Sequence, residues 1–403
     1  MTRLRSFFCV LILMAFELSL AADRVSGANA TLNIVPGARS AALGGTVMAQ
    51  PEELLGFGDN PWQLATQDYV WGSFSHVAYF EGTVYDLVSM SIPLGEMHGL
   101  GVSFSRFGAD DIPWIKEGES IPEGSNYNTL NMADWVFSVA YGRRLWKNLD
   151  FGVSLHGLYR EMDQTGFGFR GDLGLRYLFP KNFSLAALLR GFTSSAAKWE
   201  SGTFEYESPE LYLAASWNLP VHYFYGKLGL YWQSAGIFHH EARDLDFEGN
   251  ERGGRFWEEP IDFLAGSRGG VDFAFDFGLS LRAGLSSFTT WESFTLGAGM
   301  VVSKFLKVDY AFESHPVLSS VHRVSVSISP WLFFNSPKEP KARSNRSFVE
   351  KEETLEEGIE SEPSNSKAET AEPSTETVEE TPAEISSEET EILEPSGGIY
   401  WEE

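Results

Sequence analysis

The sequence has one cysteine, Cys9, among 403 residues, and it lies in the first apolar stretch of the chain. The rest of the chain therefore has no thiol for a disulfide or for a cysteine-ligated metal. Basic residues are also scarce, with 30 Lys and Arg against 56 Asp and Glu. Because phosphate contacts need clustered positive charge, this balance argues against a nucleic-acid partner. Beyond residue 21, no apolar run is long enough to cross a bilayer as a helix.

Residues that carry enzymatic chemistry are few and scattered. The 8 histidines include the pair His239 and His240 in a polar stretch, where adjacent imidazoles are usually ordinary loop residues. No serine-centred elbow and no zinc-binding histidine pair with helical spacing occurs in the sequence. We therefore predict no enzyme activity, no metal site and no cofactor.

The first residues have the pattern of a secretory signal peptide. Arg3 and Arg5 precede an apolar stretch at 7–20, and Ala21 closes a small-residue cleavage pattern. We assign 1–21 to the signal peptide and expect the mature protein to be exported.

Alternating apolar and polar residues dominate the chain from about residue 69. In Leu306–Glu313, for example, Leu306, Val308 and Tyr310 share one face of a strand, while small or charged residues share the other. Such strands, apolar on one side and polar on the other, are typical of a transmembrane β-barrel with a wet interior. We therefore predict an all-β, antiparallel barrel spanning 69–335.

The pattern predicts fourteen strands. Their expected ranges are 69–80, 83–92, 99–107, 133–145, 149–160, 166–179, 183–192, 209–217, 223–233, 260–275, 277–286, 292–302, 305–313 and 320–330. Every second connection is short, whereas the stretches 108–132, 193–208 and 234–259 are long. Outer-membrane barrels have short periplasmic turns and long outer loops. We therefore expect the outer membrane of a Gram-negative type of cell, with both termini in the periplasm.

The end of the chain differs sharply in composition. From Glu350 to Glu403 there are nineteen Glu and two Lys, with abundant Ser, Thr and Pro. Such a segment cannot bury enough apolar surface to offset its ordering entropy, so we predict that 336–403 is disordered. It is either a solvated spacer or an interaction tail that uses Tyr400 and Trp401 as a short hook.

The segment 22–68 lacks strong alternation and is rich in small residues. Gly44 and Gly45 permit close backbone approach, and Pro61 forces an extended or turn geometry on Asn60. A small-residue segment ahead of the first strand can fold into the barrel as a plug. The alternative is a plain periplasmic leader.

Several short motifs in this order resemble the PorV/PorQ family, which is related to the FadL-like long-chain fatty-acid transporters. They are Gly37 and Arg39 followed by Gly44 and Gly45, then Asn60-Pro61, 281–285 (LRAGL), 308–312 (VDYAF) and 320–328 (SVHRVSVSI). The resemblance covers about 28–330 and implies a fourteen-stranded barrel with an N-terminal hatch. It places Gly37, Arg39, Gly44, Gly45, Asn60, Pro61 and Trp62 in that hatch. Trp62 departs from the family pattern, in which alanine commonly follows Asn-Pro.

Charged residues also occur at positions that we assign to the inner face of the barrel. They are Arg106, Arg160, Asp172, Arg176, Arg190, Arg282, Lys307, Asp309 and Arg323. Buried charges must pair or contact water. We expect them to form a network that stabilises the barrel and its plug; a polar track for a substrate is the alternative.

Two functions fit these features. The resemblance implies a component of protein export or surface attachment, similar to type IX secretion, in which 108–132, 193–208 and 234–259 meet cargo or machinery proteins. The alternative is a FadL-like conduit for long-chain fatty acids or other hydrophobic compounds. The acidic stretch 108–132 also contains Ile112, Trp114 and Ile115, a mixture that favours a protein-binding surface. The expected partners are thus outer-membrane lipid and either secretion proteins or a hydrophobic small molecule.

Overall fold

The computed structural model describes residues 29–334, apart from gaps at 49, 51–52, 116–127, 194, 208, 238–243, 246–250, 253–259, 261–263, 265, 289–292 and 316–317. The predicted signal peptide, residues 22–28, the pair His239 and His240 and the tail 336–403 lie outside the described residues. No helix in the described part of the chain is long and apolar enough to cross a bilayer.

Fourteen antiparallel strands form a closed barrel, as predicted. The wall consists of β1 (Trp71–Ala78), β2 (Val84–Pro93), β3 (His98–Trp114), β4 (Asn128–Trp146), β5 (Leu149–Glu161), β6 (Thr165–Phe179), β7 (Phe183–Arg190), β10 (Glu210–Val221), β11 (Gly226–Gln233), β14 (Arg268–Phe275), β15 (Leu279–Leu285), β16 (Phe294–Ser303), β17 (Leu306–Glu313) and β18 (Val321–Ile328). Strand β1 pairs with β18 and closes the ring.

Four shorter strands lie outside this ring. Strands β8 (Ser195–Trp199) and β9 (Phe204–Glu207) form a hairpin that pairs with the outer half of β6, and β12 (Asp244–Leu245) pairs with β13 (Glu251–Arg252). Helical segments are short: η1 (Ala30–Asn33), α1 (Ala38–Ala42), η2 (Pro61–Thr66), η3 (Phe80–Gly82), η4 (Pro180–Asn182), η5 (His222–Phe224) and α2 (Pro330–Phe334).

Neighbouring residues on the same strands show why the barrel suits a bilayer. The directly paired side chains of Phe74, Val88, Phe104 and Phe137 face outward and are 43–57% exposed. One residue before or after each of them, Ser73, Ser89, Ser103 and Ser138 form a paired row on the inner face. The apolar side of each strand thus faces the position of lipid, and the hydroxyl side faces the lumen.

Three predicted boundaries were wrong. Strands β3 and β4 extend well into the predicted loop 108–132, because their register continues past a bulge between Ala109 and Ile112. The predicted loop 193–208 contains the β8–β9 hairpin, since β6 is long enough to pair with it beyond β7. The strand expected at 260–275 begins only at Arg268.

The alternation of connections agrees with the prediction. The turns after β2, β4, β6, β10, β14 and β16 are short. The start of β1 and the end of β18 lie on this short-turn side. There, α2 follows β18, and the ring of Phe333 packs edge-on against Phe305 at 5.0 Å between centroids. Aromatic side chains at a strand end are typical of the girdles of membrane barrels.

Candidate functional site

The described residues between 29 and 67, which we call the plug, lie inside the barrel. Helix α1 packs against β15–β18, whereas η2 packs against β2–β6 on the opposite wall. Asn29, at the described start of the plug, donates a hydrogen bond to Ser195 of β8, on the side of the long connections. The plug thus crosses the lumen and reaches β1 at the short-turn side. All seven residues placed in the hatch by the resemblance belong to it.

Buried polar side chains hold the plug to itself. Asn60 donates to the carbonyls of Val47 and Gln50 at 3.1 and 2.9 Å, which joins two stretches of the plug. Ser40 donates to Glu53, which is 2% exposed and also accepts a bond from the amide of Leu55. A methyl group at Gly37 would lie 2.8 Å from Oε1 of Glu53, so that carboxylate would have to shift. The plug is therefore a small folded unit with its own polar core.

A row of glycines on the inner wall receives η2. It consists of Gly99, Gly142, Gly152 and Gly174, which are directly paired across β3, β4, β5 and β6. A methyl group at Gly142 would overlap the Pro61 carbonyl, and one at Gly174 would overlap the Trp62 indole. Trp62 is fully buried and packs with Met48 and Leu188. We call these four residues the β3–β6 glycine row.

A second small-residue row, on the opposite wall, receives the end of α1. Gly270, Gly284 and Thr295 are paired across β14, β15 and β16, and we call them the β14–β16 row. Thr295 Oγ1 accepts from the amide of Gly44 and donates to the carbonyl of Ala42, both at 3.0 Å. Gly44 has φ of 69°, a left-handed conformation that ends the helix and favours glycine.

Charges of opposite sign join the plug to the two walls. On the β6–β7 side the plug supplies a carboxylate: Asp59 Oδ1 lies 2.9 Å from Arg190 and 3.7 Å from Arg170. On the β14–β15 side the plug supplies a guanidinium, because Arg39 lies 3.5 Å from Asp272. Asp272 in turn lies 3.4 Å from Arg282, whose other partner is Asp309 at 2.6 Å.

The remaining predicted inner charges also have partners. Arg160 makes a two-pronged pair with Asp134, and Arg176 pairs with Asp150 at 2.8 Å. Asp172 accepts from Arg170 and from the amide of Gly191. Arg323 pairs with Glu313 at 2.5 Å and donates to the carbonyl of Val35 in the plug. Lys307 lies over the Trp71 ring.

Arg106 was assigned to the wrong face. It follows Phe104 at the outward spacing of β3, and its guanidinium lies over the ring of Trp135 and pairs with Asp110. The bulge that begins after Ala109 brings Asp110 within reach, so a charge on the outer side of the wall is paired there.

A cavity of about 50 Å³ lies between the plug and the wall of β2–β6. Its lining is partly apolar and partly polar. Leu32, Ile34, Leu55, Leu87 and Val136 are apolar, whereas Asp59, Ser103, Ser138, His156 and Arg170 are polar. A space of this size holds a few waters at most, whereas ligand pockets usually measure roughly 300–1,000 Å³.

Sequence reasoning missed the wall partners of the plug. Arg170, Asp134 and Asp272 were not singled out, and the glycines of both rows were not recognised as a set. Each of these residues occupies an inward-facing position in the alternation of its strand, and this position is what the sequence could have shown. Their juxtaposition depends on register between strands, which the sequence does not display.

Neither a protein-family model nor a curated protein sequence matches this chain. Several solved structures do resemble it. The CymD monoaromatic hydrocarbon channel is 14% identical, with a TM-score of 0.44, over 73% of this chain and 97% of that chain. The toluene transporter TodX of P. putida is 12% identical, with a TM-score of 0.46, over 73% and 98%. A FadL homologue of Pseudomonas aeruginosa is 10% identical, with a TM-score of 0.42, over 73% and 98%.

The neighbours are hydrocarbon channels and a FadL homologue by name. No family-model match supports membership in the PorV/PorQ family.

Proposed function

We propose that this chain is an outer-membrane conduit for hydrophobic or amphiphilic small molecules, and that the plug closes it in the state described. The observation that carries the proposal is the two-sided cavity between the plug and β2–β6. Its apolar side suits the body of such a molecule, and its polar side suits a polar end. The name given to the similar structures agrees with this class of ligand.

The apolar outer face supports the membrane location. A closed barrel leaves no unpaired strand edge in lipid, which is the condition for crossing a bilayer with strands. By analogy with such barrels, we place the short turns in the periplasm and the long connections at the cell surface. The aromatic residues that follow β18 would then lie at the periplasmic interface.

Passage requires the plug to move, because the cavity is too small for the ligand. Several contacts that hold the plug to the walls, at Arg39, Gly44 and Asp59, are hydrogen bonds and ion pairs, which a ligand or water can replace. Such contacts are exchanged at a smaller net cost than buried apolar surface of similar extent. We therefore assign the plug the role of a gate.

A disulfide lock tests this gate. The amide of Ala38 lies 2.9 Å from Oγ of Ser325, so cysteines at these positions are within reach of a bond between plug and wall. Gram-negative cells that carry the wild type in the outer membrane should take up radiolabelled decanoate faster than cells with an empty vector. The oxidised Ala38→Cys, Ser325→Cys variant should fall to the vector rate, and a reductant should restore uptake.

The single variant Ala38→Cys is the matched control and should behave like the wild type in both redox states. Uptake by the oxidised double variant at the wild-type rate would show that the plug is not the gate. Uptake by the wild type no faster than by the empty vector would overturn the conduit itself.

Export or surface attachment is the second candidate, and one observation favours it. At the end of β3, Trp114 and Ile115 are 37% and 38% exposed, on a hairpin that extends past the bulge. Apolar side chains on a projecting hairpin suit a protein partner. Purification from solubilised membranes tests it: recovery of secretion proteins with the wild type, and their loss with Trp114→Ser, would support this candidate.

A further inference from the structure

Two arginines of the barrel wall meet at a single carboxylate of the plug. Arg170 of β6 and Arg190 of β7 both point into the lumen, and Asp59 lies between them. Asn33 completes the group, because its Oδ1 accepts from both guanidinium groups at 3.0 and 3.1 Å. Two guanidinium groups that converge on one carboxylate form a ready-made anion site, and here the plug fills it.

The two guanidinium groups of this site are matched by two carboxylates, those of Asp59 and Asp172. Arg170 also pairs with Asp172 at 3.0 Å, so its charge stays compensated if Asp59 leaves. For Arg190 the described ion-pair partner is Asp59, and Asn33 and the ring of Tyr212, at 4.6 Å, are further contacts. Asp172 also interacts with it through charge. A buried guanidinium that loses its directly paired carboxylate is destabilised. Asp59 can therefore be replaced easily by another anion and only at high cost by a neutral group.

Arg190 has a donor to spare for such a ligand. Its Nε is buried and makes no hydrogen bond among the described residues. A free carboxylate can accept from Nε and a terminal nitrogen of one guanidinium together, in the two-pronged geometry that is the strongest form of this contact. Asp59 makes its hydrogen bond to Arg190 through Nη2. A ligand carboxylate would thus bind Arg190 more completely than the plug does.

The anion site adjoins the cavity. Asp59 and Arg170 line the cavity together with apolar side chains that include Ile34, Leu87 and Val136. A molecule with its anionic end at Arg170 and Arg190 would place its apolar body along those side chains. The site therefore suits a carboxylate-bearing amphiphile rather than a plain hydrocarbon.

The position of Asp59 in the plug connects this site to the rest of the gate. Asn60 follows it directly and binds the carbonyls of Val47 and Gln50. Gly58 precedes it, and its carbonyl accepts from Ser154 of the wall. Displacement of Asp59 would thus act first on Asn60 and, through it, on 46–50, while Trp62 stays seated on the β3–β6 glycine row.

We propose that Arg170 and Arg190 form a binding site for the carboxylate end of an amphiphilic ligand, and that Asp59 occupies this site as an internal substitute while the gate is closed. The ligand displaces Asp59 and so loosens the plug. This inference rests on the proposed function and specifies its substrate class and its trigger.

The variant Asp59→Asn tests the inference, with decanoate and decanol as probes of equal chain length. Binding is measured by quenching of tryptophan fluorescence in neutral detergent, after a gel-shift assay on unheated samples has shown a folded barrel. Because the internal competitor is gone, the dissociation constant for decanoate should fall about tenfold, the equivalent of one charge-assisted hydrogen bond. The value for decanol should not change.

Arg39→Gln is the matched control, since it removes the other ion pair between plug and wall and leaves the anion site intact. It should affect the two probes equally. Arg190→Gln should abolish the preference for decanoate over decanol, and this second variant decides the matter if Asp59→Asn does not fold.

The outcomes separate this inference from the proposed function. If both probes bind but their ratio is the same in the wild type, Asp59→Asn and Arg190→Gln, the anion site is wrong and the conduit stands. If neither probe binds any variant and cells show no uptake, the conduit and the anion site fail together.

Discussion

The plug meets the two sides of the barrel in different ways. At the β3–β6 glycine row, a fully buried indole and a proline fill space that four glycines leave open. At the β14–β16 row, backbone groups near Gly44 make two hydrogen bonds to one threonine side chain. The first contact depends on shape and apolar burial, and the second on directed polar bonds.

This difference indicates which part of the plug moves. Removal of Trp62 from its site would leave a large cavity, and cavities of that size are costly. The bonds of Thr295 can be exchanged for bonds to water at little net cost. We therefore expect 38–50 to be the mobile part of the gate and η2 to be its fixed end.

The largest effect is expected from Gly152→Ala. The new methyl group would overlap the backbone of Pro61 and Trp62, and overpacking of this kind typically costs about 1–3 kcal/mol. The folded barrel should unfold at a lower temperature, as measured by the gel shift of samples heated in detergent.

Gly157→Ala is the control for this change, on the same strand. Its nearest atom is a carbonyl at 4.0 Å, so the methyl group fits without displacement. Equal losses of stability in the two variants would show that the glycine row does not anchor the plug.

An intermediate effect is expected from Gly284→Ala. The methyl group would overlap Gly44 and Leu43 and so push the end of α1 away from the wall. Because the polar contact there can be replaced by water, we expect an intact barrel with a displaced plug. Single-channel conductance in planar bilayers should rise, with a smaller change in unfolding temperature than Gly152→Ala causes. Gly72→Ala, whose nearest atom lies at 3.9 Å, should leave conductance unchanged.

The smallest effect is expected from Arg39→Gln. The ion pair with Asp272 is long, at 3.5 Å, and Asp272 keeps Arg282 as a partner. Because Asp272 keeps this partner, the loss of Arg39 leaves no unpaired buried charge and should cost little. Brief channel openings should become more frequent at low salt, whereas the unfolding temperature should stay within error. A conductance as high as that of Gly284→Ala would make Arg39 the main anchor on this wall and reverse the ranking.

The sequence predicted the barrel because its signal is local. Alternation within a strand such as Leu306–Glu313 sets the two faces without reference to any other strand. The short turns likewise appear directly in the chain. Strand ends were less predictable, because β3 and β4 continue by pairing with each other through residues that are acidic and poorly alternating.

The candidate site was predictable only in part. The motif around Asn60 and Pro61 pointed to the plug, but nothing local shows that Gly99 and Gly174 belong to one row. Their alignment follows from the register of four strands. Arg106 was assigned to the inner face because it is charged, but it lies on the outer face of β3. Asp110, next to the bulge, is its partner there. A charge in an alternating strand therefore does not by itself identify the face.

The seam between β1 and β18 couples closure of the wall to filling of the lumen. Ser325 of the last strand contacts Ser75 of the first, and its hydroxyl also accepts the amide of Ala38 in the plug. Arg323, two residues earlier, donates to the carbonyl of Val35. The last described strand thus carries the groups that join the earliest described segment of the chain. A barrel truncated before β18 could not close and would also lose contacts that hold the plug. The pore can therefore be sealed only after β18 is in place.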